Sequence, residues 1–378
     1  MKILVAPDKF KDALAAPAVA EAIAAGIRDA LPDAEVDCCP LADGGDGSGP
    51  ILAHALRATL RRTTVHDPLS RPIQASWWHI AGTNTALIEM AQASGLQRLA
   101  ESERTAARAT SFGTGQLIRE AIAAGCARIL LCIGGSASVD GGAGCLQALG
   151  WTLIDRRGNE ITKPASGASL ADVERIQPPE SPLPSAIEVL CDVDNPLCGP
   201  RGAAEVFAAQ KGATPPEVAQ LSTALTHWAG ILRSATGCDV SHLQYGGAAG
   251  GLSAALSAAC SATLTSGFDK IAALVHLPKK LERCRLCLTG EGRIDSQTAG
   301  GKTVAGVARM AMHAAVPVIA LAGQVQPDPG QSPQELAKDI GLSAIHLITP
   351  AHFWLPEALR DTYTNLRRAA SDCVRKID

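Results

Sequence analysis

A short apolar strand running straight into a double-glycine loop constrains this chain more than any other segment: RILLCIGGSASVDGGAG, Arg128 to Gly144. Ile129 to Ile133 are consecutive apolar residues, followed by Gly134, Gly135 and Ser136. Asp140, Gly141 and Gly142 then open a helix that Gly150 can end. Backbone without side chains lets successive N–H groups converge on a phosphate, and a helix start adds the positive end of its dipole. An acidic residue in such a loop would repel a bare phosphate but suits a magnesium-bound one. The segment reads as a nucleotide phosphate site, with a purely structural turn as the alternative.

The rest of the 378-residue chain is long enough for two or three domains. Its net charge is -3, no basic stripe is visible, and aromatic residues make up 3%. A nucleic-acid partner would require phosphate-neutralising charge and often stacking rings, so none is expected. The opening MKILVAPDKFK turns polar too soon for a signal-peptide core. No apolar run approaches the roughly 20 residues that span a bilayer. The expectation is a cytoplasmic protein with no membrane partner. Twelve cysteines are scattered through apolar segments, as in a reducing compartment. Cys38 and Cys39 are adjacent on a strand and point to opposite faces, and Cys284-x-x-Cys287 has no second pair, so neither reads as a zinc site.

Strands alternate with helices at both ends of the chain. Lys2 to Ala6 and Glu35 to Cys39 read as strands around a helix from Pro17 to about Ala30. A helix starts near Pro50; towards the C-terminus, Arg285 to Leu288, Val316 to Leu321 and Ala344 to Ile348 are short strands, with a helix from about Thr303 between the first two. That alternation suggests a doubly wound parallel sheet. The middle differs: Arg62 to His66, Ile73 to Ile80 and Thr85 to Met90 are joined by tight turns, an antiparallel meander. Thr214 and Glu217 form a capping box for a helix burying Val218, Leu221, Leu225, Trp228 and Leu232. The expected fold class is α/β with two domains, one discontinuous (residues 1–60 plus 285–378) and an inserted mixed α/β domain (61–284).

Polar clusters follow the C-terminal ends of five of the strands, where open α/β sheets place ligands. They are Asp8-Lys9-Phe10-Lys11, Asp43-Gly44-Gly45-Asp46-Gly47, the double-glycine loop, Asp192-Val193-Asp194-Asn195, and Thr289-Gly290-Glu291-Gly292-Arg293-Ile294-Asp295 with Gly301 and Lys302 beyond. This inventory suits phosphoryl transfer: carboxylates to hold Mg2+, lysines and glycine amides to bind phosphates, and one Asp to take a hydroxyl proton. There is no GxxxxGK[ST], HRD or DFG pattern, so neither an ordinary P-loop nor a protein kinase is present. Other classes remain open from residues alone: a sugar-phosphate isomerase or lyase binding substrate phosphate in the glycine loop, or a non-catalytic ligand sensor.

APDKFKDALAA, PLADGGDGS, EMAQASGL, ATSFGTGQLI, GGSASVDGGAGCLQALG, CDVDNPLCGPRGAAEVFAAQKGA, GGAAGGL and LTGEGRIDSQTAGGK occur in this order over nearly the whole chain. Together they resemble the bacterial glycerate kinase family. The resemblance implies a flavodoxin-like parallel α/β domain built from both chain ends, an inserted second α/β domain and a site between the two. It also implies transfer of the ATP γ-phosphate to D-glycerate with Mg2+, the 2-position favoured over the 3-position, by a monomer or homodimer. Lys9, Asp46, Ser138 and Ala299 stand where that family more often has serine, glutamate, threonine and leucine.

Roles are then expected as follows. Asp192 is the candidate general base, with a turn-forming role as its alternative, and Lys11 and Lys302 are candidates for charge developing in transfer. Gly134, Gly135, Ser136, Gly141 and Gly142 form the phosphate cradle. Asp43, Asp140 and Glu291 are candidate Mg2+ ligands, each with hydrogen bonding to loop amides as the alternative. Arg293 suits a glycerate carboxylate, since its planar fork can make two hydrogen bonds; a salt bridge with Asp295 is the competing reading. Asp8, Asp295 and Lys211 complete the candidate substrate-binding set.

Overall fold

Short runs rich in apolar residues supply most strands of two large sheets, with a two-stranded third formed by Thr152–Asp155 and Val173–Gln177, in the computed structural model, which describes residues 1–296, 298, 303–349 and 354–375. The chain divides into two compact units, one made of Met1–Asp43 with Phe268–Asp378, the other of Gly44–Gly267. In the first unit five strands lie in the order Ala344–Leu347, Val318–Gln326, Leu286–Asp295, Lys2–Val5 and Glu35–Cys38. Every neighbouring pair is parallel. Counted along the unit's own chain order this is 2-1-3-4-5, the flavodoxin-like arrangement, whose switch point falls between Lys2–Val5 and Leu286–Asp295. Ile3, Leu4 and Val5 are fully buried, as a central parallel strand requires when helices cover both faces. The helix Ala16–Ala30 opens with Pro17 in its first turn and buries Val19, Ala20, Ile23 and Ile27 along one stripe.

In the second unit a six-stranded sheet runs Thr263–Ser266, Ala186–Cys191, Arg128–Cys132, Thr85–Glu89, Pro72–Ile80, Thr59–His66. The first four are parallel, and the last two add an antiparallel meander at the edge. This is the mixed α/β architecture anticipated from the tight turns. Trp77 and Trp78 both go into the core, at 5% and 9% exposure. The helix Pro215–Thr236 starts at the Thr214–Glu217 box and ends at Gly237, whose φ of 77° is the left-handed terminator glycine favours.

Two boundaries differ from the sequence-based ones. Residues 44–60 go with the second unit because the helix Ser48–Ala55 packs on Thr85–Glu89, and Phe268 goes with the first because it lies against Gly306. The strand starting at Leu286 does not stop at Leu288 but runs through TGEGRID to Asp295, paired with Val318–Gln326 along its length. Glycine is depleted in strands, so that text reads as a loop; here a ladder of parallel backbone pairing carries it.

All twelve cysteines are free, eight of them buried. Cys38 is exposed and Cys39 buried, the opposite-face arrangement their adjacency dictates, and burial pushes the Cys39 thiol up to about 12. Among the described residues no helix is long and apolar enough to cross a membrane.

Trp228, fully buried on Pro215–Thr236, donates Nε1 to the Gly141 carbonyl at 2.8 Å and so ties that helix to the glycine loop. Trp228→Phe keeps one aromatic ring but removes the fused pyrrole with its N–H, and so leaves the carbonyl unpaired in a buried setting. The expected loss is about 1–3 kcal/mol in urea denaturation; an unchanged midpoint would show that this hydrogen bond does not anchor the loop.

Candidate active site

Arg128–Cys132 delivers Gly134, Gly135 and Ser136 to the C-terminal edge of the second unit's sheet. Gly135 is exposed and adopts φ 73°, which favours glycine. Its carbonyl accepts from the Leu96 amide at 2.8 Å, and the Ala137 amide donates to Ser94 at 2.9 Å, so the loop is pinned on both sides. The Gly134 amide donates to the Gly44 carbonyl at 3.3 Å. The amides of Gly135 and Ser136 donate to no protein group among the described residues. A side chain at Gly134 would meet Gly45 and come within 3.0 Å of the Asp192 carboxylate, so only glycine lets these three segments converge.

The helix-opening half of the motif behaves differently. Asp140 is fully buried; its carboxylate accepts from the Ser111 amide (2.7 Å) and hydroxyl (2.7 Å), the Gly142 amide (3.2 Å) and the Gly144 amide (3.3 Å). Burial pushes its pKa up, and these donors push it back down. Four donors occupy the oxygens, which fits the loop-amide alternative for Asp140 and leaves little for a magnesium ion. The Gly141 amide donates to the Gly250 carbonyl at 2.9 Å, and both Gly141 and Gly142 are buried. Their N–H groups face protein acceptors, so the structure removes them from the phosphate cradle; their positive φ values of 60° and 75° explain the glycines instead.

Lys211 sits beneath the exposed turn. It is 4% exposed, and Nζ donates to Ser136 Oγ at 2.6 Å and the Ser138 carbonyl at 2.8 Å. Burial lowers its pKa to about 8, while the negative charges of Asp140 and Asp192 act to keep it protonated. The ammonium therefore braces the loop from inside and is not a free arm reaching for substrate. Asp192 follows the last residue of Ala186–Cys191 and is half-buried, with its carboxylate beside Gly134.

Glu89 carries a role the sequence reading missed. It is 2% exposed at the end of Thr85–Glu89, and Oε1 accepts from the Gly47 and Gly49 amides at 2.9 and 2.7 Å. It thereby fixes Asp46-Gly47 and the start of Ser48–Ala55. The available signal was a lone acid ending an otherwise apolar strand, a position a solvated side chain would not occupy.

In the first unit, Asp8, Asp43 and Glu291 lie at the C-terminal side of the sheet, with Asp8 and Glu291 flanking the switch point. The Asp8 amide donates to the Gly290 carbonyl at 2.9 Å. Asp8 is 9% exposed, and its carboxylate accepts from the Lys9 amide at 2.6 Å and from the Thr303 hydroxyl. Burial first, then repulsion from Asp43, raises its pKa to about 7. Glu291, Arg293 and Asp295 alternate along the extended strand and so share one face, with buried Ile294 on the other. Glu291 accepts from the Thr298 hydroxyl at 2.8 Å, and Arg293 pairs with Asp295 at 3.0 Å while its side chain stays 54% exposed. Lys11 is exposed, with its backbone next to Gly292. Lys302 lies outside the described residues.

The predicted residues thus form two groups. The second unit gathers Gly134, Gly135, Ser136, Lys211, Asp140 and Asp192; the first gathers Asp8, Asp43, Glu291, Arg293, Asp295 and Lys11. Asp43 and Glu291 fall in one unit and Asp140 in the other. Among the described residues no three His, Cys, Asp or Glu side chains are placed to hold a metal ion together.

A model of the Glycerate kinase family matches residues 3–378. The chain is similar to Glycerate 2-kinase of Escherichia coli (strain K12), 40% identical over 382 residues covering 100% of this chain and 98% of that protein. It is similar to Glycerate kinase of Bacillus subtilis (strain 168), 40% identical over 380 residues with coverage of 100% and 98%. Among solved structures, a candidate glycerate kinase 2 from Salmonella typhimurium LT2 matches with a TM-score of 0.82 at 40% identity, over 100% of this chain and 98% of that one.

The raised pKa of Asp8 gives a signed prediction for the chain without nucleotide or divalent cation. Folded Asp8 keeps its proton between about 4 and 7, where the unfolded chain has released it, so its contribution to stability falls as pH rises through 7. Asp8→Asn removes the effect. The variant is expected to be more stable than the native chain at pH 8, by a few kcal/mol at most (about 1.4 per pKa unit), and to lose that advantage at pH 4. Urea midpoints at both pH values check it; a variant equally destabilised at both would contradict the burial-driven shift.

Proposed function

The chain belongs to the glycerate kinase family, and on that premise we propose that it transfers the γ-phosphate of ATP to D-glycerate, giving 2-phosphoglycerate and ADP. One observation carries the reading: two backbone N–H groups with no protein acceptor among the described residues, at Gly135 and Ser136, follow Gly134, which lies beside the Asp192 carboxylate, on a loop braced by a buried ammonium. Donors and a base at the ends of two neighbouring parallel strands are what phosphoryl transfer to a hydroxyl requires.

The donor set fits a nucleotide phosphate, because the amides have no protein acceptor among the described residues and the exposed turn has no side chain at its tip. The acids suit Mg2+, which keeps several waters and takes only one or two carboxylates, so a three-ligand protein cluster is not needed. Asp43 and Glu291 would hold the ion, with Asp140 left to organise its own loop. The bound ion would supply neutralisation of the phosphate charge.

The chain's own residues then divide the work. Asp192 accepts the proton of the glycerate hydroxyl as it attacks. The Gly135 and Ser136 amides stabilise charge on phosphate oxygens without having to reorganise, since Leu96, Ser94 and Lys211 already fix the loop. Arg293, oriented by Asp295, clamps the glycerate carboxylate. Asp8, with a pKa of about 7, can both donate to and accept from a substrate hydroxyl near neutral pH. Lys11 and Lys302 add positive charge for the transferring group.

A coupled assay of ADP release with D-glycerate tests the activity, and 13C and 31P NMR of the product tests the position. Phosphorus coupling at C2 is expected; coupling at C3 would reassign the hydroxyl, and no glycerate-dependent ADP would reject the reading. Asp192→Ala should lower kcat by about 10²–10⁴ with little change in unfolding, and near-native turnover in that variant would remove Asp192 as the base.

A further inference from the structure

We propose that the first unit carries a second anion site, for a small molecule bearing a phosphate dianion, in a cavity of about 250 Å³ lined by Lys2, Asp37, His276, Lys279, Lys280 and Arg283. Its position separates it from the chemistry. Lys2 is the first residue of Lys2–Val5, whereas Asp8 lies beyond the other end of that strand, so within this unit the cavity opens at the sheet edge opposite Asp8.

The charge balance there is uneven. Lys280 pairs with Asp37 at 2.7 Å and Lys2 with Glu35 at 2.7 Å. Lys279 and Arg283 form no ion pair among the described residues. Arg283 lies near enough to Lys2 for their like charges to repel. Four permanent cations therefore meet two carboxylates, an excess of two positive charges that a phosphate dianion would balance. Placing like charges side by side is unfavourable unless an anion bridges them. Arg283 offers a planar fork suited to phosphate oxygens, the lysines offer point charges, and His276 adds a ring nitrogen. The cavity leaves room for a short carbon chain on the phosphate, so inorganic phosphate and a small phosphate monoester share the required chemistry.

The test is isothermal titration of the full chain, at low ionic strength, with inorganic phosphate and separately with glycerol 3-phosphate. Native protein and the Lys279→Ala/Arg283→Ala variant are compared, together with Asp192→Ala. The double variant should bind both anions at least about tenfold more weakly, the loss of two charge-assisted contacts, while its glycerate-dependent turnover stays native. Asp192→Ala should keep the site. Tighter binding of glycerol 3-phosphate than of phosphate identifies an organic monoester as the ligand, and equal binding identifies the inorganic ion. The proposal is overturned if the double variant binds both anions as the native chain does, or if the native chain binds neither. Because the readout is heat of binding, it stands or falls separately from the kinase assay.

Discussion

A single buried ammonium holds the candidate site in shape. Lys211 enters the interior with no carboxylate in direct contact among the described residues, and its two hydrogen bonds go to Ser136 and Ser138 on either side of Ala137. A buried charge is tolerated only when hydrogen bonds and nearby opposite charge offset its lost hydration. Here the offsetting groups are the loop itself and, through space, Asp140 and Asp192. The same cation therefore fixes the backbone of the phosphate loop and interacts through space with the acid beside it. Removing it would disturb both at once, which is why it is better regarded as a positioning residue than as a substrate contact.

The carboxylates divide by environment. Asp140 and Glu89 are buried and satisfied mainly by backbone amides, so each organises a glycine-containing turn. Asp8 is buried with Asp43 for a neighbour, and it holds its proton to about pH 7. Asp192 is half-buried at a strand end and keeps access to solvent. These four acids thus fall into three kinds, set by how many amides point at each and how much water remains.

Much of the architecture was legible because it rests on period and punctuation. Apolar runs such as Ile129–Ile133, the Thr214–Glu217 box and the tight turns of the meander each specify local structure through nearby residues. What was not legible depends on distant partners. Gly141 and Gly142 look like Gly134 and Gly135 in the text, yet the Gly141 amide is consumed by the Gly250 carbonyl, far along the chain, and the Gly142 amide by the Asp140 carboxylate, which the distant Ser111 helps to hold. TGEGRID reads as a loop because only its pairing with Val318–Gln326 makes it a strand. Glu89 was overlooked because its partners, Gly47 and Gly49, lie some forty residues away. Lys211 was noticed as a cation, but its burial follows from packing that no local pattern encodes.

Backbone amide shifts test the central claim most directly. In 1H–15N spectra of the native protein, addition of ATP with Mg2+ should move the Gly135 and Ser136 amides strongly downfield, as N–H groups that gain a phosphate acceptor do, and leave Gly141 and Gly142 nearly in place. Unmoved Gly135 and Ser136 resonances, with large shifts at Gly141 and Gly142 or only elsewhere, would contradict the account.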